Sequence, residues 1–448
     1  MANFSKSHVP QFAVDVYQNE YLPEGSGEVD AIVTVTATGG GTVGSAVAAA
    51  QPYAPGRGPS AAVAVMVDCS GSMDYPQTKM RNAREATAAA VDTVRDGVHF
   101  AVVGGTHVAE EVYPGGGRLA VADATTREQA KQALRRLSAG GGTAIGAWLR
   151  LADRLLSSAD VSIRHGILLT DGRNEHESPE DLRAALDACA GRFTCDARGV
   201  GTDWEVKEVT GIASALLGSA DIVADPAGLV SDFTRMMEAA MGKEVADVAL
   251  RLWTPAGATV RFVKQVAPTV EDLTGRRTEA PPRAGDYPTG SWGDESRDYH
   301  VRVAVPPAAV GREMLAARVS LVAPRQDGSV HALGAQGLVR AVWTDDLAAS
   351  TAISPQVAHY TGQAELARAI QQGLELRKAG DVDGATAKLG RAVQLAGASG
   401  NADTAKLLAK VVDVVDAATG TVRLKTKVEE AAEKTLETRS TKTVRVKK

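Results

Sequence analysis

The sequence of 448 residues has little of what several common classes of protein require. Aromatic residues make up only 4% of it, so stacking surfaces for bases or sugars are few. The net charge of -5 provides no concentrated basic face for a phosphate backbone, so nucleic-acid binding is not expected. No run approaches the roughly 20 apolar residues that cross a bilayer, and the N-terminus lacks a secretory pattern. These absences predict a cytoplasmic protein that is not held in a membrane.

Cysteine is equally scarce. The three cysteines, Cys69, Cys189 and Cys195, have no CxxC spacing and no neighbouring histidine cluster. Neither a disulfide framework nor a zinc site is therefore predicted. Reduced, buried thiols are the expected state.

The composition that remains is typical of a globular protein of several domains. Apolar residues are 44% and charged residues 23%, and the chain is longer than one hydrophobic core usually supports. Four regions are predicted: an N-terminal segment (1–60), an α/β domain (61–241), a β-sandwich (242–345) and a helical region with a basic tail (355–448). The predicted fold class is thus α/β plus β plus α.

Residues 61–241 alternate short apolar strands with longer segments of helical period. The predicted strands are 61–67, 98–103, 163–169, 193–200 and 221–224. The predicted helices are 79–95, 127–137, 144–156, 179–190, 205–217 and 228–241. This alternation predicts a mainly parallel, doubly wound, Rossmann-like sheet covered on both faces. If a short ribbon near 108–112 is its third strand, the expected strand order is 3-2-1-4-5-6.

The remaining regions have other periodicities. Strand-like runs with proline and Gly-Asp turns predict the sandwich, at 245–253, 259–266, 299–305, 314–322 and 335–342. An early alternating run at 29–37 is expected to complete this sheet, which would make the α/β domain an insertion into the β domain. The acidic stretch 286–298 is expected to be a solvated loop. After residue 355, two antiparallel helices and a third helix at 402–417 are predicted, ending in a solvated basic tail.

Five oxygen-bearing side chains follow the strands of the α/β domain. In MVDCSGSMD, an apolar strand ends at Asp68, and Ser70 and Ser72 follow around a glycine. In ILLTDGRNE, a second such strand ends at Asp171, and the glycine loop SAGGGTAIG carries Thr143 at or near a helix cap. The first and fourth strands are neighbours in the expected order, so both acids should meet at one edge. Oxygen ligands without His or Cys suit a hard cation such as Mg²⁺, Mn²⁺ or Ca²⁺.

The motifs DCSGS, GGGT and LLTDG together resemble the metal-ion-dependent adhesion site of the von Willebrand factor A domain family. The resemblance covers residues 61–241. It implies that Ser70, Ser72 and Thr143 reach the metal through hydroxyls, while Asp68 and Asp171 act directly or through water. It also implies a final helix, 228–241, that shifts with ligand state.

The resemblance carries an expectation about function as well. A partner protein would complete the coordination of Mg²⁺ with an Asp or Glu, so the protein is expected to be an interaction module and not an enzyme. Bacterial intracellular members of the family are associated with MoxR-type AAA ATPases and with stress and tellurium-resistance systems, which makes such partners an expectation here.

Other interpretations of the same residues remain open. The DxS pattern alone also fits a turn in which the serines bond to backbone. A Mg²⁺-dependent phosphohydrolase using the same acidic site is the sharpest enzymatic alternative, although Ser70 stands where its general acid is needed. A serine hydrolase fits less well, because no glycine lies two residues before Ser70.

Overall fold

The computed structural model describes residues 10–39, 60–325 and 329–446. These residues form two compact units. The first unit contains the described residues of Gly39–Ala246 together with Gly290–Gly293. The second contains Gln11–Thr38, Asp247–Thr289 and the described residues from Asp294 onward. Residues 40–59 of the predicted N-terminal segment lie outside the described residues.

Three strands open the described chain, namely β1 (Gln11–Gln18), β2 (Tyr21–Pro23) and β3 (Glu28–Thr38). β3 alternates buried valine, alanine and isoleucine with polar residues, which is the pattern of a strand with two different faces. All three strands belong to sheets of the second unit. Along the sequence, the first unit is therefore inserted between β3 and the later strands of the second unit.

The first unit is built on one sheet of seven strands. They are β4 (Ala61–Asp68), β5 (His99–Gly105), β6 (Ala109–Tyr113), β7 (Ala120–Val121), β8 (Ile163–Thr170), β9 (Thr194–Val200) and β10 (Ala220–Val223). Their order is β10-β9-β8-β4-β5-β6, and β7 pairs with β5. The strands from β10 to β5 are parallel, whereas β6 is an antiparallel edge. The predicted order 3-2-1-4-5-6 is confirmed, with β6 as the third strand.

Six helices cover both faces of this sheet. They are α1 (Thr78–Thr93), α2 (Ala124–Leu134), α3 (Ile145–Ser157), α4 (Pro179–Cys189), α5 (Val206–Ala215) and α6 (Leu229–Met241). Successive residues of β4 point to opposite faces, so Val65 packs in a core with α1, α2 and α6 while Met66 packs in a core with α3, α4 and α5. Burial on both faces explains why this strand is a continuous apolar run. The predicted doubly wound α/β class is confirmed.

The second unit adds eight strands to β1–β3. They are β11 (Val245–Trp253), β12 (Thr259–Ala267), β13 (Glu271–Asp272), β14 (Thr278–Ala280), β15 (Ala284–Trp292), β16 (Glu295–Ala304), β17 (Glu313–Pro324) and β18 (Val330–Thr344). One sheet has the order β1-β3-β16-β12-β13, and the other has the order β14-β15-β11-β17-β18-β2. The early strand β3 thus lies inside a sheet, between β1 and β16. This is the position expected if the N-terminal segment completes the β-sandwich.

The prediction of a solvated loop at 286–298 is wrong. Most of this stretch belongs to β15 and β16. Asp286 makes two hydrogen bonds of 2.7 Å with Arg251, and Asp298 is buried. Acidic residues are accommodated in these strands because cationic and hydroxyl partners on neighbouring segments satisfy them.

The C-terminal region contains helices and one hairpin. Its elements are α7 (Leu347–Thr351), α8 (Pro355–Lys378), α9 (Val382–Ala398), α10 (Ala402–Val411), β19 (Val412–Asp416), β20 (Thr421–Leu424) and α11 (Glu430–Arg439). The predicted third helix at 402–417 is wrong in its second half, where β19 pairs with β20. The β-branched run Val411–Val412 with Val414–Val415 favours a strand over a helix. Ile370, Leu389, Leu408 and Leu436 form the shared core of α8 to α11.

None of the helices within the described ranges is both long enough and apolar enough to cross a bilayer. All three cysteines are buried with free thiols. Burial, together with the charge of Asp68, raises the pKa of the Cys69 thiol to about 12. Cys69 is therefore protonated and unreactive at neutral pH.

The last residues that the structure describes are docked rather than solvated, which contradicts the solvated basic tail predicted from the sequence. We call residues 441–446 the C-terminal strap. The backbone N–H of Val270 donates to the carbonyl of Thr441, and the hydroxyl of Thr443 donates to the carbonyl of Val266 at 2.6 Å. The guanidinium of Arg445 pairs with Asp298. The buried Asp298 and backbone groups of Val266 and Val270 thus hold a segment whose basic composition predicts a solvated end.

Candidate metal centre

Asp68 ties two neighbouring strand ends together. It is the last residue of β4, and its side chain is fully buried. One carboxylate oxygen accepts from the backbone N–H of Ser70 at 2.8 Å. The other accepts from the hydroxyl of Thr170 at 2.7 Å and from the N–H of Asp171 at 3.3 Å. Burial and the nearby charge of Asp171 raise the pKa of Asp68 to about 6, although the Ser70 and Thr170 hydrogen bonds oppose this.

The two serines connect Asp68 to Asp171. They lie at the start of a short 3-10 helix, Gly71–Asp74, which follows β4 directly. The Ser70 Oγ and Ser72 Oγ atoms are 2.9 Å apart, and Ser72 Oγ donates to Asp171 Oδ1 at 2.6 Å. Because β4 and β8 are adjacent and parallel, their two loops leave the sheet side by side.

Thr143 reaches the same point from a third loop. α3 begins at Ile145 and its N-cap is Ala144, so Thr143 lies one residue before the cap, near the position expected for it. No side chain makes a capping hydrogen bond at Ala144. The first helical amides are satisfied instead by Asn174, which accepts from Ile145 at 2.8 Å, and by Glu177. Thr143 is left buried beside the serines.

The backbone of Gly172 shows how closely the three hydroxyls converge. A Cβ atom at this position would lie 3.1 Å from Ser72 Oγ, 3.4 Å from Thr143 Oγ1 and 3.8 Å from Ser70 Oγ. All five residues predicted for the site, Asp68, Ser70, Ser72, Thr143 and Asp171, are therefore brought together. Glycine at 172 keeps this small volume open.

The donor set fits a hard divalent cation. Hydroxyl and carboxylate oxygens are what Mg²⁺, Mn²⁺ and Ca²⁺ prefer. In the part of the chain that the structure describes, no group of three or more His, Cys, Asp or Glu side chains could hold a metal ion. A metal at this site would therefore depend on the three hydroxyls as well as on Asp68 and Asp171.

One charged residue of the site was missed in the sequence. The ammonium of Lys79, in the first turn of α1, lies 2.7 Å from Asp171 Oδ2. It also lies 3.1 Å from Asp203 Oδ2 and 3.3 Å from the carbonyl of Ser72. Burial opposes its charge, but Asp171 and Asp203 raise the pKa of Lys79, so it is charged at neutral pH. A single lysine in a helix has no local signal that distinguishes it from a solvated one.

Two histidines were also missed as part of this region. His176 Nδ1 accepts from the backbone N–H of Thr143 at 3.1 Å, so its proton is assigned to Nε2. A Cβ atom at Gly142 would lie 2.2 Å from the His176 ring. His107 lies on the other side of the glycine loop, with ring centroids 6.5 Å apart. Gly141 and Gly142 are thus required by the imidazoles of His107 and His176 packed against them.

The comparisons with known proteins agree with this architecture. The model of the von Willebrand factor type A domain matches residues 61–222, and that of the von Willebrand factor type A C-terminal domain matches residues 394–440. No curated protein matches the chain.

Two solved structures resemble the chain over almost its whole length. A von Willebrand factor type A protein from Catenulispora acidiphila is 52% identical, with 99% of each chain covered and a TM-score of 0.90. The ArnB paralog VWA2 from Sulfolobus acidocaldarius is 14% identical, with 96% of this chain and 98% of the other covered and a TM-score of 0.57, a likeness of fold alone. Given the extent of the first match, the chain belongs to the von Willebrand factor type A family.

Proposed function

We propose that this protein is a metal-dependent protein-binding module. It holds a divalent cation, with Mg²⁺ as the first candidate and Mn²⁺ or Ca²⁺ as alternatives, and captures an Asp or Glu side chain of a partner protein. Domains of this family mediate metal-dependent protein interactions. The observation that carries the proposal is the convergence of the Ser70, Ser72 and Thr143 hydroxyls beside two buried carboxylates.

The charges of the site support an acidic ligand. Asp68 and Asp171 contribute two negative charges, Lys79 contributes one positive charge, and the three hydroxyls contribute none. Lys79 is also paired with Asp203, which offsets its charge, so the two buried carboxylates nearly neutralise a bound divalent cation. Because the hydroxyl ligands add no further negative charge, the cation stays electrophilic, and Mg²⁺ tends to retain exchangeable water that a partner's carboxylate can replace.

An enzymatic use of Asp68 is poorly supported. A phosphohydrolase of the kind considered above needs this carboxylate to be accessible and needs a general acid two positions later. Asp68 is fully buried and both its oxygens accept hydrogen bonds, while the later position is Ser70. The burial of Asp68 therefore favours binding over catalysis as the function of the site.

The biological setting rests on the family alone. A MoxR-type AAA ATPase, or a stress or tellurium-resistance system, is part of the proposal only through that resemblance. A cytoplasmic location is likewise proposed, and the three buried free thiols support it because they suit a reducing compartment.

Metal-dependent capture of partners tests the proposal. Immobilised full-length protein should retain a partner from lysate in Mg²⁺ or Mn²⁺ and release it in EDTA, and Asp171→Ala should retain none. Asp187→Ala is a matched control, because Asp187 is an exposed acid on α4. The captured partner should lose binding when its contacting Asp or Glu is replaced by Asn or Gln.

Two results would contradict the proposal. One is a wild-type protein that binds no divalent cation in calorimetry and retains nothing that Asp171→Ala loses. The other is Mg²⁺-dependent turnover of a phosphate ester by the wild type that disappears in Ser70→Ala, which would favour hydrolysis.

A further inference from the structure

Both oxygens of Asp171 are already occupied by groups of the protein. Oδ1 accepts from Ser72 Oγ, and Oδ2 accepts from the ammonium of Lys79. Asp171 is fully buried, and the Lys79 side chain is only 10% exposed, so water does little to screen this pair. Asp171 is therefore paired with a cation of the protein itself, the ammonium of Lys79.

A divalent ion beside Asp171 would meet that cation. The Ser72 hydroxyl is a candidate ligand, and it donates to the same carboxylate, that of Asp171, to which Lys79 donates. The carbonyl of Ser72 also lies 3.3 Å from the Lys79 ammonium. Metal and ammonium would thus be held on the same residues within a few ångströms of each other. Like charges at such separations in a poorly screened site repel, so the two compete for the carboxylate.

Lys79 also has a second acidic partner. Asp203 lies 3.1 Å from the ammonium, and its side chain is 66% exposed. The ammonium can therefore keep a carboxylate contact if it leaves Asp171. Asp203 is at the rim of the site, whereas Asp171 is at its base, so the lysine has an inner and an outer partner.

We propose that Lys79 is an internal counter-cation that holds Asp171 in the absence of metal and competes with the divalent ion for it, with Asp203 as its outer partner. This inference rests on the metal site of the proposed function. It predicts a site of weakened metal affinity, which fills only when the free cation concentration is high. Once filled, the site holds a divalent ion whose hydroxyl ligands add no negative charge, which favours an acidic ligand.

Calorimetric titration of the full-length chain with Mn²⁺ and Mg²⁺, without any partner, tests the inference. Lys79→Met removes the charge and keeps an unbranched side chain, so the affinity should rise roughly tenfold or more, as expected for loss of one nearby positive charge. Lys79→Arg retains the charge and should stay within about threefold of the wild type. Lys388→Met, at an exposed position of α9, should leave the affinity unchanged.

A second measurement keeps the test informative if Lys79→Met is poorly folded without metal. Thermal unfolding should show the variant less stable than the wild type in EDTA, because Asp171 then lacks its cation. Saturating Mn²⁺ should raise the melting temperature of Lys79→Met by more than that of the wild type.

The role of Asp203 is tested by a double-mutant cycle. Asp203→Asn should weaken Mn²⁺ binding in the wild type, because the ammonium then has only Asp171 as a partner. The same substitution should have a smaller effect in Lys79→Met. Equal effects in the two backgrounds would overturn the part assigned to Asp203.

The outcomes separate this inference from the proposed function. If the wild type binds Mn²⁺ and Lys79→Met binds it equally or more weakly, Lys79 only positions Asp171 and the competition is wrong. If neither binds, the metal site itself is wrong and the inference falls with it. If only Lys79→Met binds, the competition is supported directly.

Discussion

Arg445 forms a two-pronged ion pair with Asp298. Its Nε lies 2.9 Å from one carboxylate oxygen and its outer nitrogen 2.6 Å from the other. The Asp298 side chain is 3% exposed, and it also accepts from Thr34 and from the hydroxyl of Tyr360. Arg445 thus neutralises a buried acid of β16, which makes the C-terminal strap part of the folded structure of the second unit.

Replacement of Arg445 by alanine should destabilise the second unit. The buried Asp298 carboxylate would lose its cation, at a cost of about 1–2 kcal/mol in the free energy of unfolding. The loss of stability is expected to be small for a charged hydrogen-bonded pair, because the Arg445 side chain is 43% exposed and water screens its charge. Denaturant unfolding of the full chain measures this, with Arg368→Ala on the exposed face of α8 as the control. Equal losses in both variants would show that the pair contributes nothing specific.

The same pair should make stability depend on acidic pH. Burial alone would raise the pKa of Asp298, but Arg445, Tyr360 and Thr34 hold it below its usual value. An acid with a lowered folded-state pKa contributes stability above its unfolded pKa of about 3.9 and loses it as the pH falls through the folded-state pKa. Between about pH 5 and pH 2, wild-type stability should therefore fall more steeply than that of Asp298→Asn.

The control for this pH dependence is Asp383→Asn, at an exposed position of α9. Its stability should fall with acid along the wild-type curve. A pH profile of Asp298→Asn that is parallel to that of the wild type would contradict the lowered pKa.

An alanine at position 172 should impair the metal site without unfolding the domain. The added Cβ would lie 3.1 Å from Ser72 Oγ and 3.4 Å from Thr143 Oγ1, so the hydroxyls must move apart by a few tenths of an ångström. We expect Mn²⁺ affinity to fall roughly 10-fold to 100-fold, the scale on which displaced ligands act. Gly140→Ala is the matched control, because a Cβ there meets nothing within 4 Å. Unchanged Mn²⁺ affinity in Gly172→Ala would count against metal binding by these hydroxyls.

A glycine at the end of β5 should be essential for packing. A Cβ at Gly105 would lie 2.2 Å from the Trp148 ring, which is fully buried in α3. Gly105→Ala should therefore destabilise the first unit by about 1–3 kcal/mol, measured by thermal or denaturant unfolding. Gly211→Ala, within α5 and with open space around its Cβ, should instead stabilise by up to about 1 kcal/mol. Similar effects of the two substitutions would contradict the contact.

Much of the fold could be predicted because periodicity is a local property of a chain. The apolar run that became β4 and the helical periods around it are visible within windows of a few residues. The predicted helix at 402–417 was wrong in its second half, where the β-branched residues around Val414 favour a strand over a helix. The docked strap could not be predicted, because its stability depends on Asp298, which is distant in sequence.

The site was predictable to the extent that sheet topology brings strand ends together. Asp68 ends β4 and Asp171 directly follows β8, an adjacent parallel strand, so the expected strand order was enough to pair them. Lys79 had no such signal. Its contribution depends on where its side chain points once α1 has packed, and local spacing in the sequence does not show that direction.

The amino-acid sequence by itself determined most of the strands and helices and which oxygen ligands would lie at the strand ends, because hydrophobic period and loop chemistry act over short stretches. Only the tertiary structure decided which charges those ligands meet, since Lys79 reaches Asp171 and Arg445 reaches Asp298 across 92 and 147 positions of the chain. Electrostatic interactions depend on distance in space and on burial, and both are set only after the units have packed.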